Sequence, residues 1–306
     1  MTAATTAATQ LHAGAAAVFD ATVRQVRDDQ WALPTPCAEW DVRALVNHLV
    51  GEARWTAPLL AGQTIAQVGD RFDGDLLGSD PRAAWAAAYD EAVDAADRAK
   101  SEERIVHLSF GDTPAEEYLH QLTADYLVHS WDLAVAIGAP DRLDPDLVEA
   151  VAGWFDAWAA SYRDTGAVAE PIAVAAGDDP QLRLLAEFGR DQQRCVTFAA
   201  IARFAAAFDR HDVDAVMAAM TDDCVFESTA PPDGARYVGQ AAVRAAWTEF
   251  FEAAPSAVFE TEELIACGDR AVAGWRYRWP EGHVRGIDVY QVRDGLVAEK
   301  RSYVKG

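Results

Sequence analysis

Two histidines and an aspartate carry the pattern with the most chemical content. His48 lies in PTPCAEWDVRALVNHLVGEA (34–53), and Asp125 and His129 lie in YLHQLTADYLVHSWDLAVAIG (118–138). Asp125 and His129 stand at i and i+4, so a helix sets them on one face, about 40° apart. Two imidazoles and a carboxylate suit a borderline divalent ion, zinc above all, with a position left for water or substrate. On this reading the first half of the chain is an enzyme built around a metal. The plain alternative is two packed histidines and a solvated aspartate, which isolated motifs of this kind often are.

Neighbouring residues add candidates. Glu52, one turn after His48, is open to three readings: a fourth ligand, a water-activating base, or a solvated helix face. Asp132, three residues past His129, is placed to brace a histidine from behind. His120, nine residues before His129, falls about 180° around the helix and faces away. Cys37 sits in a turn ahead of a helix, where a thiolate is favoured, but its place in that turn reads as packing. Trp40 and Trp131 read as core anchors.

Helices must position these side chains. Residues 11–30 are Ala-rich and amphipathic, and LPTPCAEW then forms a turn with Asp41 as N-cap of a helix to about residue 61. A second helical pattern covers 81–100, with Asp80 as N-cap and Pro81 at the first helical position. Thr113-Pro114 opens the helix bearing Asp125 and His129, ended by Gly138 and Pro140, and another runs over roughly 145–163. Four main antiparallel helices make a bundle, whose metal sites come from inward residues on facing helices.

Beyond residue 192 the pattern changes. Helices over 196–211 and 212–220, broken at Arg210-His211, precede a strand-like CVFES, a Gly-marked turn and a helix over 241–253. Four β-rich runs follow: AVFETEELIAC, RAVAGWRYRW, HVRGIDVYQV and LVAEKRSYV. Asp294-Gly295 between the last two is a strong hairpin signal. The fold class is therefore multidomain, an all-α bundle over 1–192 followed by an α+β domain over 193–306 with a curved antiparallel sheet.

Composition agrees with two globular domains and limits the partners. The 306 residues are 51% hydrophobic and 25% charged, enough for two cores. Up to Asp191 there are 13 basic and 32 acidic residues, and beyond it 13 and 17, a step that supports a boundary near residue 192. A formal charge of −23 argues against nucleic acid, whose phosphates demand a basic face. No run approaches the 18 to 20 apolar residues of a membrane span, and the opening lacks the basic n-region of a signal peptide. Cys37, Cys195, Cys224 and Cys267 form no C-x-x-C pair, which fits a reducing cytoplasm.

Over most of residues 11–191 the chain resembles the DinB-like superfamily. Within it, the chain looks like the metal-binding domain of mycothiol-dependent maleylpyruvate isomerase and its relatives. PTPCAEWDVRALVNHLVG, LSFGDTPAEEYL, VHSWDLAVAIG and LRLLAEFGRD carry the resemblance. It implies His48, Asp125 and His129 as metal ligands, with Asp125 standing where relatives often have Glu or His. The isomerase's own C-terminal domain is absent, so maleylpyruvate isomerisation is not implied.

Residues 196–304 resemble the SnoaL-like group of the NTF2-like superfamily, cone-shaped α+β barrels enclosing an apolar pocket. FAAAFDRHDVDAVMAAMTDDCVFES is similar to the ketosteroid isomerase opening. On that match Phe204 replaces the catalytic tyrosine and Ser228 the base aspartate. Only the oxyanion-stabilising acid remains, as Asp288 in GIDVYQVRDG, and a mechanism needing all three roles is not expected. Strand alternation puts Gly286, Asp288 and Tyr290 on one face. Asp288 is thus a candidate acid or base in a pocket that Trp275, Tyr277 and Trp279 would line, unless that stripe is simply core.

The leading expectation is a cytoplasmic metalloenzyme holding zinc at His48, Asp125 and His129, with Glu52 and Asp288 as candidate catalytic groups. Its substrate would be a small hydrophobic or polyketide-like metabolite, its co-substrate a thiol such as mycothiol, and its reaction transfer or isomerisation. The alternatives are a cofactor-free cyclase, isomerase or hydrolase using Asp288, and a small-molecule-binding resistance protein. The NTF2-like resemblance also implies a homodimer.

Overall fold

The structure, a computed structural model, describes residues 3–99, 104–164, 166, 168–174 and 179–305. It divides into two compact units, Met1–Val135 with Ala139–Arg190, and Ala136–Gly138 with Asp191–Gly306. Helices dominate the first, and a sheet with helices makes the second.

The first unit opens with α1 (Ala3–Val23), followed by a 3₁₀ turn over Asp28–Gln30 and α2 (Val42–Leu60). Then come the short α3 (Ile65–Val68) and α4 (Pro81–Ala99). A hairpin of β1 (Ile105–Leu108) and β2 (Gly111–Pro114) leads into α5 (Ala115–Ile137), α6 (Pro145–Asp164) and α7 (Pro180–Glu187). Caps fix the starts: Asp41 accepts from the Ala44 N–H at 2.8 Å, and Asp80 from the Ala83 N–H at 3.0 Å. Such caps satisfy amide groups that the first helical turn leaves without partners.

α5 is the central element. From Tyr126 to Ile137 every residue is buried, the signature of a helix surrounded by others. Tyr126 meets His12 and Phe19 of α1 and Trp85 of α4, while His120 stacks on Trp154 of α6. A ligand on α5 is therefore held on the most enclosed helix of the unit.

One expectation for this unit changes. The first helix begins earlier than residue 11 and ends at Val23, because the Ala/Thr-rich opening propagates helix while the chain turns before Asp28. Thr113-Pro114 ends β2, which pairs with β1 through Leu108 and Gly111, and the helix expected to open there begins at the next residue, Ala115. Gly111, at φ +131°, supplies a turn conformation that few other residues reach.

The second unit contains α8 (Gln192–Asp209), α9 (Val213–Ala218), β3 (Met220–Glu227), β4 (Arg236–Val238) and α10 (Gln240–Ala253). β5 (Val258–Cys267), β6 (Arg270–Trp279), β7 (Gly282–Arg293) and β8 (Leu296–Val304) complete it. The sheet order is β4-β3-β8-β7-β6-β5, antiparallel except for the β3–β8 pair. His211 at φ +54° breaks α8 from α9, and Asp294-Gly295 at +53° and +72° turns β7 into β8. Helices then α+β is the observed architecture. Phe204, Phe208, Phe226, Trp247 and Tyr290 fill the space between the sheet and α8 and α10. Among the described residues no helix is long and apolar enough to cross a membrane.

Candidate metal centre

His48 of α2 and Asp125 and His129 of α5 converge. His48 Nε2 lies 3.1 Å from Asp125 Oδ2, and His129 Nε2 lies 3.3 Å from Asp125 Oδ1. One donor atom from each of the three lies within 4.8 Å of the others. Donors about 2.1 Å from a tetrahedral zinc ion are about 3.4 Å apart, and each imidazole lies at about that distance from one oxygen of the Asp125 carboxylate.

The electrostatics favour a cation. Burial would lower both histidines, but the Asp125 carboxylate outweighs it and raises His48, and raises His129 well above its ordinary value. Burial opposes ionisation of Asp125 too, yet the two imidazoles hold it well below the usual carboxylate range. Asp125 therefore draws positive charge onto both its partners. A divalent ion meets the same demand with the imidazoles neutral.

Behind His129 stands a second layer. Its Nδ1 lies 2.8 Å from Asp132 Oδ2, and Asp132 is paired with Arg190 Nη2 at 2.8 Å. Asp132 is fully buried, a cost that the Arg190 and His129 charges overcome, holding its carboxyl down at about 2. Cys37 Sγ donates to Asp132 Oδ2 at 3.3 Å and accepts from Arg190 Nη2 at 3.1 Å. Cys37, His129 and Asp132 also group within ligand spacing, but the Arg190 guanidinium already supplies the cation there.

Cys37 is thus no mere packing residue, since it is hydrogen-bonded and half-buried on the wall of a cleft. Trp40 also departs from expectation. It is half-buried, and its ring lies 4.7 Å from the His48 ring and 5.7 Å from the His129 ring, a cover over the site rather than a core anchor. Trp131 is in the core, fully buried. His120 stacks on Trp154 and is absent from the ligand group.

The cleft above the histidines has a volume of about 710 Å³, and Trp40, Phe110, Trp154, Phe155, Tyr162 and Phe188 supply its aromatic walls. One carboxylate pins two of these: Glu117 accepts from Trp154 Nε1 at 2.9 Å and from Tyr162 Oη at 3.0 Å. Glu52 lines the same cleft, and burial, then the nearby Asp125 charge, pushes it up to about 7. Sequence reasoning missed Glu117 and Arg190. Arg190 is one of two arginines in the LRLLAEFGRD run, and its place in that run was the available signal.

Asp288 occupies a different setting. It lies on the inner face of β7, 2% exposed, 2.8 Å from Lys300 Nζ of β8, and accepts from Tyr290 Oη at 3.0 Å. The cavity beside it measures about 20 Å³, room for roughly one water. Trp275 lines that cavity, and Trp279 lies exposed towards the end of β6. Phe204 is core, and Ser228 Oγ accepts from the Ala235 N–H in the β3–β4 turn.

Comparison with known proteins gives two matches along the chain. Residues 12–134 match the mycothiol maleylpyruvate isomerase N-terminal domain, and residues 201–300 match the SnoaL-like domain. Two strains of Mycobacterium tuberculosis each have an uncharacterized protein 36% identical over 140 residues, 44% of this chain and 70% of theirs. A solved NTF2-like protein of unknown function from Mesorhizobium loti is 37% identical, spans 38% of this chain and 97% of its own, and has a TM-score of 0.36. An NTF2-like protein of unknown function from Burkholderia xenovorans is 18% identical, over 37% of this chain and 85% of its own, with a TM-score of 0.33.

Proposed function

Because this chain belongs to the family marked by the mycothiol maleylpyruvate isomerase N-terminal domain, here followed by a SnoaL-like domain, we propose that it is a divalent-metal-dependent enzyme. Its substrate is a small hydrophobic or polyketide-like metabolite, and its co-substrate a low-molecular-weight thiol such as mycothiol. The observation that carries this reading is the convergence of His48, Asp125 and His129 beneath an aromatic-walled cleft. Those three residues hold the ion, and zinc suits them best. Bound there, it supplies Lewis acidity that lowers the pKa of a thiol or water.

The chain's own groups do the rest. Asp132 accepts a hydrogen bond from the His129 Nδ1–H and so keeps Nε2 free for the ion. Glu52, near 7, accepts or returns a proton at its carboxylate close to neutrality. Trp40, Trp154 and Tyr162 shield the cleft from water and seat a flat apolar substrate. The reaction is a thiol transfer or a thiol-assisted isomerisation. Chemistry at Asp288 is not favoured, because its carboxylate is engaged by Lys300 in a nearly filled interior.

The same reading puts the protein in the cytoplasm, and its four cysteines form no disulfide. It is a homodimer joined through the outer sheet face, where Ile265, Val272, Ile287 and Tyr303 are exposed. The deciding test is metal content by inductively coupled plasma mass spectrometry, on protein purified without added metal or a histidine tag. About one divalent ion per chain is expected on the stoichiometry of a three-ligand site, and none in His129→Ala. A folded wild type that neither carries metal nor takes it up would overturn the reading.

A further inference from the structure

We propose that the interior of the C-terminal sheet domain is a recognition site for a primary alkylammonium, and that the chain's own Lys300 is its occupant. Lys300 projects from the inner face of β8 and is 4% exposed. Its Nζ lies 2.8 Å from Asp288 Oδ2 and donates to Ser302 Oγ at 2.6 Å. Four rings surround the same atom: Phe226 at 5.3 Å, Trp247 at 5.4 Å, and Phe208 and Tyr290 at 5.9 Å each.

A carboxylate, a hydroxyl and a wall of aromatic faces form the chemistry by which proteins recognise an ammonium group. The compact head of a lysine fits such a cage where a planar guanidinium would not. Tyr290 Oη donates to the same Asp288 oxygen, which fixes the carboxylate towards the cage. The chain has only three lysines, Lys100, Lys300 and Lys305, against 23 arginines, so a lysine at this position is a departure from its usual choice of cation. The remaining space is one water in size, and Asp288 Oδ1 and Trp275 Nε1, both from residues lining it, have no hydrogen-bond partner among the described residues. The space that SnoaL-like resemblance would reserve for substrate is thus occupied by a side chain of the protein itself.

Lys300→Ala removes the atoms of a propylammonium ion and leaves the cage intact. The expected result is a destabilised variant whose melting midpoint rises, saturably, with n-propylammonium chloride. Sodium chloride at equal ionic strength, 1-propanol, and the wild type titrated with the amine should show no comparable shift. Adding Asp288→Asn should weaken the amine response about tenfold or more, the scale of a lost charge-assisted hydrogen bond. No saturable shift, or an equal shift with propanol, would overturn the proposal. Should Lys300→Ala fail to fold, Lys300→Met decides. It keeps the stem and removes the charge, so it should be less stable than wild type and regain stability when Asp288→Asn is added. A Lys300→Met protein as stable as wild type would overturn the proposal equally.

Discussion

His129 and Asp132, one turn apart on α5, meet through Nδ1 and Oδ2 at 2.8 Å. That contact aims the other ring nitrogen at Asp125, 3.3 Å away. Asp132→Asn should keep the fold yet lose orientation and basicity at His129. Zinc affinity is expected to fall about 10- to 100-fold, read by competition with a chromophoric chelator. Unchanged affinity would mean that packing alone aims the ring.

Arg190 is the cation of that buried layer, and its removal leaves the Asp132 carboxylate without its main partner. Arg190→Ala is expected to cost about 3 kcal/mol in urea denaturation, since breaking one side of a buried pair strands the other charge. Asp132→Asn in the same chain should return much of it. A loss below about 1 kcal/mol, the scale of a surface pair, would show that water reaches Asp132.

Local signals carried much of the fold into the sequence. Asp41 and Asp80 announce their helices because capping is a matter of three residues, and Asp294-Gly295 announces its hairpin for the same reason. The i, i+4 spacing also sets Asp125 and His129 side by side. Beyond His48 with Asp125 and His129, which the family resemblance joined, contacts between distant residues were not legible. Arg190 reaches Asp132 across 58 positions, and nothing in either neighbourhood states the pairing. Lys300 meets Asp288 only because β7 and β8 pair with Asp288 opposite Ser302, a register that alternation alone leaves free. The β1–β2 hairpin escaped because its four-residue strands are short and Thr113-Pro114 also stands directly before the start of α5.

His12 gives a pH dependence of defined sign. It is 0% exposed, neither ring nitrogen has a hydrogen-bond partner among the described residues, and burial lowers it to about 4 from 6.5. Between those values the unfolded chain binds a proton that the folded one refuses, so stability falls as pH drops through the window. The loss attributable to His12 is at most about 3 kcal/mol by linkage. His48 and His129 are shifted upward and act in the opposite sense, so the difference between wild type and His12→Leu isolates the effect. The variant should be more stable than wild type at pH 5, with the gap narrowing towards pH 8. A pH-independent gap would mean that His12 is hydrated.

Gly286 pairs with Trp275 across β6 and β7, and a Cβ built on it would overlap both the Trp275 indole and the Tyr303 carbonyl oxygen. Its backbone is not in the left-handed region, so the requirement for glycine is space, not conformation. Two different neighbours make the clash hard to relieve. An indole can rotate, but the carbonyl belongs to the β8 backbone and moves only with the sheet. Gly286→Ala should therefore cost about 3 kcal/mol or more, the overpacking range at its upper end, with loss of the near-ultraviolet tryptophan dichroism. Adding Trp275→Leu removes the indole and leaves the carbonyl, so it should restore less than half of that loss. Full restoration would assign the constraint to the indole alone, and near-wild-type stability of Gly286→Ala would show that β7 and β8 can separate at this rung.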